Sequence, residues 1–336
     1  MRPFLYERAE SPAAALRTFG AARGEAGATA YLAGGTTLLD LMKLDVMRPQ
    51  RVIDINLLHR TAAGRIEVSA NGLRLGALAR MAEAEDHPDL RRDFPLIAQA
   101  LQLAASPQIR NMATLGGNVL QRTRCPYFRD TSYAECNKRN PGSGCAALDG
   151  FNRMHAVLGT SDQCIAAYPG DFAQALIALD AVVEIDGPNG PRKLPFAGLH
   201  RMPGERPNVE TTLAAGEMIT AFVVPAGPWT RRSLYLKIRD RQSYEFALAS
   251  AAVALDLRDG VVQEARIALG GVATVPWRAK AAEARLKGKR LDDAAANAAA
   301  EAALADARPR DHNGFKVALG KRTLARALKQ AAAMEV

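Results

Sequence analysis

The sequence has no apolar run long enough to cross a membrane. Its longest uncharged apolar run, Phe246 to Leu255, is far shorter than the roughly 20 residues that a spanning helix needs. The stretch from Met1 to Arg8 carries charges where a signal peptide would have its apolar core. We therefore expect a protein with no membrane partner that is cytoplasmic, or periplasmic only by co-export with a partner subunit.

Aromatic residues are also scarce, at 6% of the 336 residues. The net charge of +9 would suit a nucleic acid, but modules that bind single strands interleave aromatic with basic residues. The densest basic run, Arg231 to Arg241, is instead interleaved with apolar residues in the manner of a strand. We interpret the charge as a solvated face, with an acidic protein partner as the alternative, and expect no nucleic-acid partner.

Cysteine is missing from most of the chain and concentrated in one part of it. Cys125, Cys136, Cys145 and Cys164 fall within about 40 residues, and such clustering indicates a local site. Residues 122–164, here called the cysteine segment, show no hydrophobic periodicity. Since a loop of that length in a compact domain is usually functional or disordered, the cysteines favour a functional loop.

The five histidines share no spacing typical of a metal site or a catalytic triad. Each is interpreted as a surface or hydrogen-bonded core residue, although His155 lies inside the cysteine segment and could contact its site. No set of Ser, His and Asp residues stands out either. We predict no catalytic residue in this chain.

The pattern of apolar residues and turns predicts an α+β fold in three parts. The first part, residues 1–57, contains a helix that begins at Ser11-Pro12 and extends to about residue 23. It continues with two short strands that flank a second helix.

The second part, residues 58–225, opens with a hairpin at Asn71-Gly72, followed by a helical stretch to about Ala105. It holds the cysteine segment. The third part, residues 226–336, follows a break at Pro225 to Pro228 and contains antiparallel strands and then alanine-rich helices.

A glycine loop lies between a predicted strand and a predicted helix, at Leu32-Ala33-Gly34-Gly35-Thr36-Thr37-Leu38-Leu39. Glycines let backbone N–H groups converge on an anion, and threonine hydroxyls can donate to phosphate oxygens. The loop matches neither the dinucleotide fingerprint nor the phosphate loop of nucleoside triphosphatases. Taken alone, it favours a plain strand-to-helix turn.

A second glycine loop, from Arg110 to Asn118, follows about 80 residues downstream. The pair resembles the FAD pyrophosphate loops in the flavin subunits of molybdenum hydroxylases of the xanthine dehydrogenase and aldehyde oxidoreductase type. The resemblance continues at four later places and covers about residues 3 to 330. These places are Pro169 to Phe172, Gly216 to Ile219, Lys237 and Gly270 to Arg278.

The resemblance implies a two-part FAD-binding domain of the molybdenum hydroxylase flavoprotein type, followed by a C-terminal α/β domain of antiparallel strands and helices. The residues that it assigns to FAD are Leu32, Ala33, Gly34, Gly35, Thr36, Thr37, Leu38, Leu39, Asn111, Thr114, Gly116, Gly117, Asn118, Asp171, Ile219 and Lys237.

The cysteine segment is where the chain departs from the commoner members of that family, whose corresponding connection is much shorter. Its cysteines are separated by 10, 8 and 18 residues, without the paired CxxC of a zinc ribbon. Four thiolates suit a [4Fe–4S] cluster, and basic residues outnumber acidic ones nearby. Two disulfides, a zinc site and free thiols are the alternatives. A similar insertion occurs in hydroxybenzoyl-CoA reductase flavin subunits and in a bacterial aldehyde oxidoreductase branch.

By resemblance, the chain is the FAD-containing electron-transfer subunit of a molybdenum-dependent aldehyde oxidoreductase. Its implied partners are a large subunit with a molybdenum cofactor and a small [2Fe–2S] subunit, and its electrons pass through FAD to an external acceptor. The alternatives are the flavin subunit of a hydroxybenzoyl-CoA reductase or xanthine dehydrogenase-like complex, and a stand-alone flavin oxidoreductase.

Overall fold

Three β-sheets organise the computed structural model, which describes residues 1–21 and 27–336. Within those residues, none of the helices is both long and apolar enough to cross a bilayer. The predicted end of the first helix, near residue 23, lies outside the described residues.

A three-stranded parallel sheet forms the first unit, with the strand order β1-β3-β2. In parallel sheets the carboxyl ends of neighbouring strands share one edge, where ligands commonly bind. Leu32 pairs with Asp54 at that edge, so the first glycine loop leaves the sheet there. The strand β1 was not predicted. The elements are β1 (Leu5–Arg8), α1 (Pro12–Ala21), β2 (Thr29–Leu32), α2 (Leu38–Lys43) and β3 (Arg51–Asp54).

The second unit is built on a five-stranded antiparallel sheet, with the order β4-β5-β8-β6-β7. Its elements are β4 (Ile66–Ser69), β5 (Gly72–Gly76), α3 (Met81–Asp86), α4 (Pro88–Asp93), α5 (Pro95–Gln102), α6 (Pro107–Met112), α7 (Leu115–Val119), α8 (Pro126–Arg129), α9 (Phe172–Ala178), β6 (Val182–Asp186), β7 (Arg192–Pro195) and β8 (Met218–Pro225). The predicted hairpin at Asn71-Gly72 is confirmed. The helical stretch predicted to reach Ala105 is three short helices, because Pro88 and Pro95 each start a new one.

The third unit has a four-stranded antiparallel sheet, with the order β12-β11-β10-β9, followed by three helices. Positive φ angles at Asp259 (52°) and Gly260 (77°) fit the tight hairpin turn between the two longest strands. The α+β fold class is thereby confirmed. The elements are β9 (Ser233–Ile238), β10 (Ala249–Arg258), β11 (Val261–Gly270), β12 (Trp277–Arg278), α10 (Lys280–Leu286), α11 (Asp293–Ala303) and α12 (Phe315–Ala332).

The cysteine segment is irregular, as predicted, and contains the short helix α8 and isolated bridges such as Cys136 to Cys145. Its backbone is nevertheless bonded to the third unit. The N–H groups of Val157 and Leu158 both donate to the carbonyl of Val272, at 2.8 and 3.0 Å. The segment is therefore a packed part of the molecule rather than a free loop.

Candidate functional site

The first glycine loop lies directly against the second. A Cβ atom on Gly34 would overlap the carbonyl oxygen of Met112, so no larger residue fits there. Gly35 has a φ of +75°, which residues with a side chain rarely adopt. Glycine is therefore needed at both positions, for close approach at one and for backbone conformation at the other.

Arg80 and Asn56 join the two loops, and neither was identified from the sequence. The Arg80 guanidinium donates to the carbonyl of Met112 and, at 2.9 Å, to Oδ1 of Asn56. The Nδ2 of Asn56 donates to the carbonyl of Ala33 at 2.9 Å. No local motif marks these residues, because the three contacts link parts of the chain that are 23 or more positions apart.

Two cavities meet at the first loop, where both are lined by Thr36 and Thr37. The loop cavity, of about 230 Å³, lies between the two glycine loops and Ile219. The main cavity, of about 610 Å³, extends from the threonines to Asp171 and Cys125. The predicted FAD-binding residues that line one or both cavities are Ala33, Gly34, Gly35, Thr36, Thr37, Leu38, Thr114, Gly116, Gly117, Asn118, Asp171 and Ile219.

The walls of these cavities fit an extended phosphate-containing ligand. Glycines at the loops leave room for close backbone approach, and Thr114 caps the second loop by accepting from Gly117 N at 3.2 Å. In the main cavity, Asn118 Oδ1 and Arg124 Nε are buried and have no hydrogen-bond partner within the described part of the chain. Buried polar atoms are normally satisfied, so a bound group would complete them.

Four of the predicted FAD-binding residues, Leu32, Leu39, Asn111 and Lys237, are absent from the walls of both cavities. Lys237 instead contacts Asp171, which lines the main cavity. Its ammonium is 2.7 Å from Asp171 Oδ2 and donates to the carbonyl of Leu103 at 3.0 Å.

The other oxygen of Asp171 accepts from the Tyr235 hydroxyl at 2.7 Å. Burial is the main cause that raises the pKa of Tyr235 well above its ordinary value, so the phenol stays a donor. Lys237 and Tyr235 together fix the carboxylate that faces the main cavity.

All four cysteines line one small cavity, which also touches Phe128 and Lys138. Their thiols are free, so the structure gives no support to the disulfide alternative. Within residues 1–21 and 27–336, no three Cys, His, Asp or Glu side chains converge as a single-ion site.

The four sulfur atoms have different surroundings. Burial raises the pKa of the Cys125 thiol to about 12. A hydrogen bond from Cys164 lowers the pKa of Cys145 to about 6, and the same contact raises the pKa of Cys164. Metal ligation needs deprotonated thiols, so Cys125 and Cys164 would have to lose their protons before either could bind a metal.

His155 contacts this set, as the sequence allowed. Its Nε2 lies 3.1 Å from Cys125 Sγ, while its Nδ1 is buried and has no partner among the residues described. Burial lowers the pKa of His155 to about 4, so the ring is neutral near pH 7. The ammonium of Lys316, which was not identified from the sequence, donates to the backbone carbonyl of His155. Burial lowers the pKa of Lys316 to about 7.

Family comparisons agree with this geometry. Residues 2–227 match the FAD binding domain in molybdopterin dehydrogenase, and residues 233–331 match the CO dehydrogenase flavoprotein C-terminal domain. The chain belongs to this molybdopterin dehydrogenase flavoprotein family. Membership confirms the expected FAD-binding fold and the oxidoreductase class.

Relatives within this flavoprotein family cover almost the whole chain. It is 47% identical over 335 residues to the aldehyde oxidoreductase FAD-binding subunit PaoB of Escherichia coli K12, covering 99% of both chains. It is 29% identical to the carbon monoxide dehydrogenase medium chain of Hydrogenophaga pseudoflava, over 92% of this chain and 91% of that one. A solved carbon monoxide dehydrogenase from the same organism superimposes with a TM-score of 0.75 at 28% identity, covering 99% of this chain and 98% of that one.

Proposed function

We propose that this flavoprotein is the FAD-carrying electron-transfer subunit of a molybdenum-dependent aldehyde oxidoreductase. The observation that carries the proposal is that Cys125 forms part of the wall of the same cavity as Thr36, Thr37 and Asp171. The flavin cleft and the cysteine site are thus adjacent. The whole-length similarity to an aldehyde oxidoreductase subunit supports the aldehyde substrate class for the complex.

The two glycine loops are proposed to hold the FAD diphosphate, and the main cavity to hold the rest of the cofactor. Flavin accepts electrons singly and delivers them in pairs, while the protein sets its position and its electronic surroundings. In this chain Arg80 and Asn56 hold the loops together, and Lys237 fixes Asp171. We propose that Asn118 and Arg124 complete their unsatisfied hydrogen bonds on the bound cofactor.

The cysteine site is proposed to hold a [4Fe–4S] cluster bound by Cys125, Cys136, Cys145 and Cys164. Their shared cavity and irregular backbone support a cluster over paired disulfides. The surroundings help to hold the segment together: Arg139 donates to the carbonyls of Tyr127 and Phe128, both at 2.8 Å. Lys138 lies 2.9 Å from Glu210.

The proposed partners are a large subunit with the molybdenum cofactor, where the substrate reacts, and a small [2Fe–2S] subunit. The chain is proposed to divide into an FAD-binding unit at 1–57, a second FAD-binding unit at 58–225 and a C-terminal unit at 226–336. Electrons are proposed to pass from the small subunit through FAD to an external acceptor.

A comparison of two preparations tests this function. The chain is expressed alone and together with its two proposed partners, and each product is analysed for flavin, iron, acid-labile sulfide and aldehyde oxidation. We expect a stable complex with flavin and iron only in the co-expressed preparation. A stable, fully flavinylated monomer that oxidises aldehydes would overturn the subunit assignment and favour a stand-alone oxidoreductase.

A further inference from the structure

Lys316 is a buried cation without an acidic partner in the described residues. It lies near the start of α12 with no exposed surface. Its ammonium instead donates to three backbone carbonyls, at 3.1, 3.1 and 2.7 Å, which belong to Met154, His155 and Gly271. These three acceptors use all three N–H donors of the ammonium.

The carbonyls connect Lys316 to the cysteine segment. Two of them belong to the irregular stretch of backbone that carries His155. The Nε2 of that histidine lies 3.1 Å from Cys125 Sγ. The residues just before Lys316 hold the same coil: Asn313 donates to the carbonyl of Ala156 at 3.2 Å. The start of α12 therefore anchors the histidine at its backbone, while the ring is directed at the sulfur.

When the sulfur of Cys125 is a metal ligand, the donor and the acceptor in its hydrogen bond with His155 are defined. A ligating thiolate carries no proton, so the hydrogen must be on Nε2 of the histidine. The other ring nitrogen has no partner in the described structure, so no competing contact favours the opposite tautomer.

We propose that His155 donates a hydrogen bond to the Cys125 ligand of the cluster, and that Lys316 is the positioning residue that holds His155. Together they raise the reduction potential of the cluster. This inference rests on the [4Fe–4S] cluster proposed above. It assigns to the C-terminal unit a direct part in the electron-transfer site.

The direction of the effect follows from charge. A cluster with four thiolate ligands is negatively charged, and reduction adds one more negative charge. A donor on the sulfur stabilises the reduced form more than the oxidised one, because hydrogen bonds to sulfur help to set such potentials. Loss of either residue should therefore make the cluster harder to reduce.

The test is a potentiometric titration of the purified complex, with the reduced cluster followed by electron paramagnetic resonance. The variants are His155→Leu, which removes the donor, His155→Gln, which keeps one, and Lys316→Met. Lys329→Met is the matched control, because it removes the same charge from an exposed position on the same helix. Iron and acid-labile sulfide are measured in every preparation.

We expect His155→Leu and Lys316→Met to shift the midpoint to more negative potentials, His155→Gln to shift it less, and Lys329→Met to leave it unchanged. Unshifted midpoints in His155→Leu and Lys316→Met at full iron content would overturn the inference while leaving the cluster intact. If Lys316→Met does not yield a complex, the comparison of the Leu and Gln variants at position 155 decides. Wild-type complex with iron and sulfide sufficient only for the [2Fe–2S] subunit would instead remove the cluster itself, and this inference with it.

Discussion

The ammonium of Lys237 lies 2.7 Å from the carboxylate of Asp171, and the two side chains are only 1% and 5% exposed. This ion pair joins β9 of the third unit to the residue that precedes α9. Removing one partner from a buried pair leaves an uncompensated charge, which typically costs about 3–5 kcal/mol. The pair therefore links the stability of the third unit to the wall of the main cavity.

Lys237→Met and Asp171→Asn should each destabilise the protein by about 3–5 kcal/mol, while the double variant should lose less than the sum. Thermal unfolding midpoints of the purified complex measure this. Lys329→Met, on an exposed part of α12, is the control. Additive losses in the double variant would show that the two side chains act independently.

Gly34→Ala, Gly35→Val and Gly117→Val should each abolish most FAD retention. The first places a Cβ on the Met112 carbonyl, the second forces a branched residue to a φ of +75°, and the third places a Cβ 2.9 Å from Thr114 Oγ1. Flavin released per protein after denaturation is the measurement. Gly20→Ala is the control, because a Cβ at that position meets nothing within 4 Å. Normal flavin content in all three variants would refute the role of the loops.

Serine at any one of Cys125, Cys136, Cys145 or Cys164 should remove most of the iron and sulfide held by this chain together, rather than a quarter of each. A cluster lacking one thiolate is labile, and the segment depends on the metal for its shape. FAD should be retained in part, because both glycine loops lie outside the cysteine segment. Ser132→Ala, on the exposed surface of that segment, is the control. Zinc in wild-type protein, or four titratable thiols without metal, would contradict the assignment.

Asp40 should make the link between α2 and the cysteine segment sensitive to acid. Its carboxylate accepts from Arg129 at 2.7 and 3.1 Å and from Arg124 at 3.1 Å. The Arg129 hydrogen bond is the main cause that holds the pKa of Asp40 below its ordinary range. A depressed carboxyl pKa stabilises the fold above the unfolded value, near about 3.9, and this contribution is lost as pH falls toward the folded value.

Asp40→Asn should therefore lower the unfolding midpoint at pH 7, and the gap from wild type should close as pH falls below about 4. Thermal unfolding followed across this pH range is the measurement. Asp162→Asn removes an acidic side chain that is 98% exposed in the same segment and should change little. A gap that stays constant down to pH 3 would rule out the ionised carboxylate as its source.

Short-range patterns in the sequence were sufficient to predict the elements that form the site. The glycines after Leu32 and after Leu115 are short-range features, and both loops lie where they were expected. The irregular cysteine segment was also predictable, because its lack of periodicity is a local property. The first β-strand was missed, since Leu5 to Arg8 is short and mostly exposed and lacks a clear apolar alternation.

Contacts between distant parts of the chain could not be predicted from one sequence. Strand β8 pairs with β5, about 150 positions earlier, and such pairing depends on burial across the whole unit. Arg80 lies outside both glycine loops, and its role follows only from its contacts with Met112 and Asn56. Lys316 lies in an ordinary amphipathic helix, where a lysine in the sequence normally indicates a solvent-exposed position.

The anchoring of the cysteine segment limits how it can be transplanted. Its backbone bonds to Val272, its coil to the ammonium of Lys316 and its arginines to Asp40, so its anchors come from remote parts of the chain. A shorter flavin subunit that received residues 122–164 alone would lack these anchoring contacts. Deleting residues 122–164 from this chain would leave Lys316 without two of its three carbonyl acceptors. The segment is not a detachable module, and any graft has to carry its anchoring residues with it.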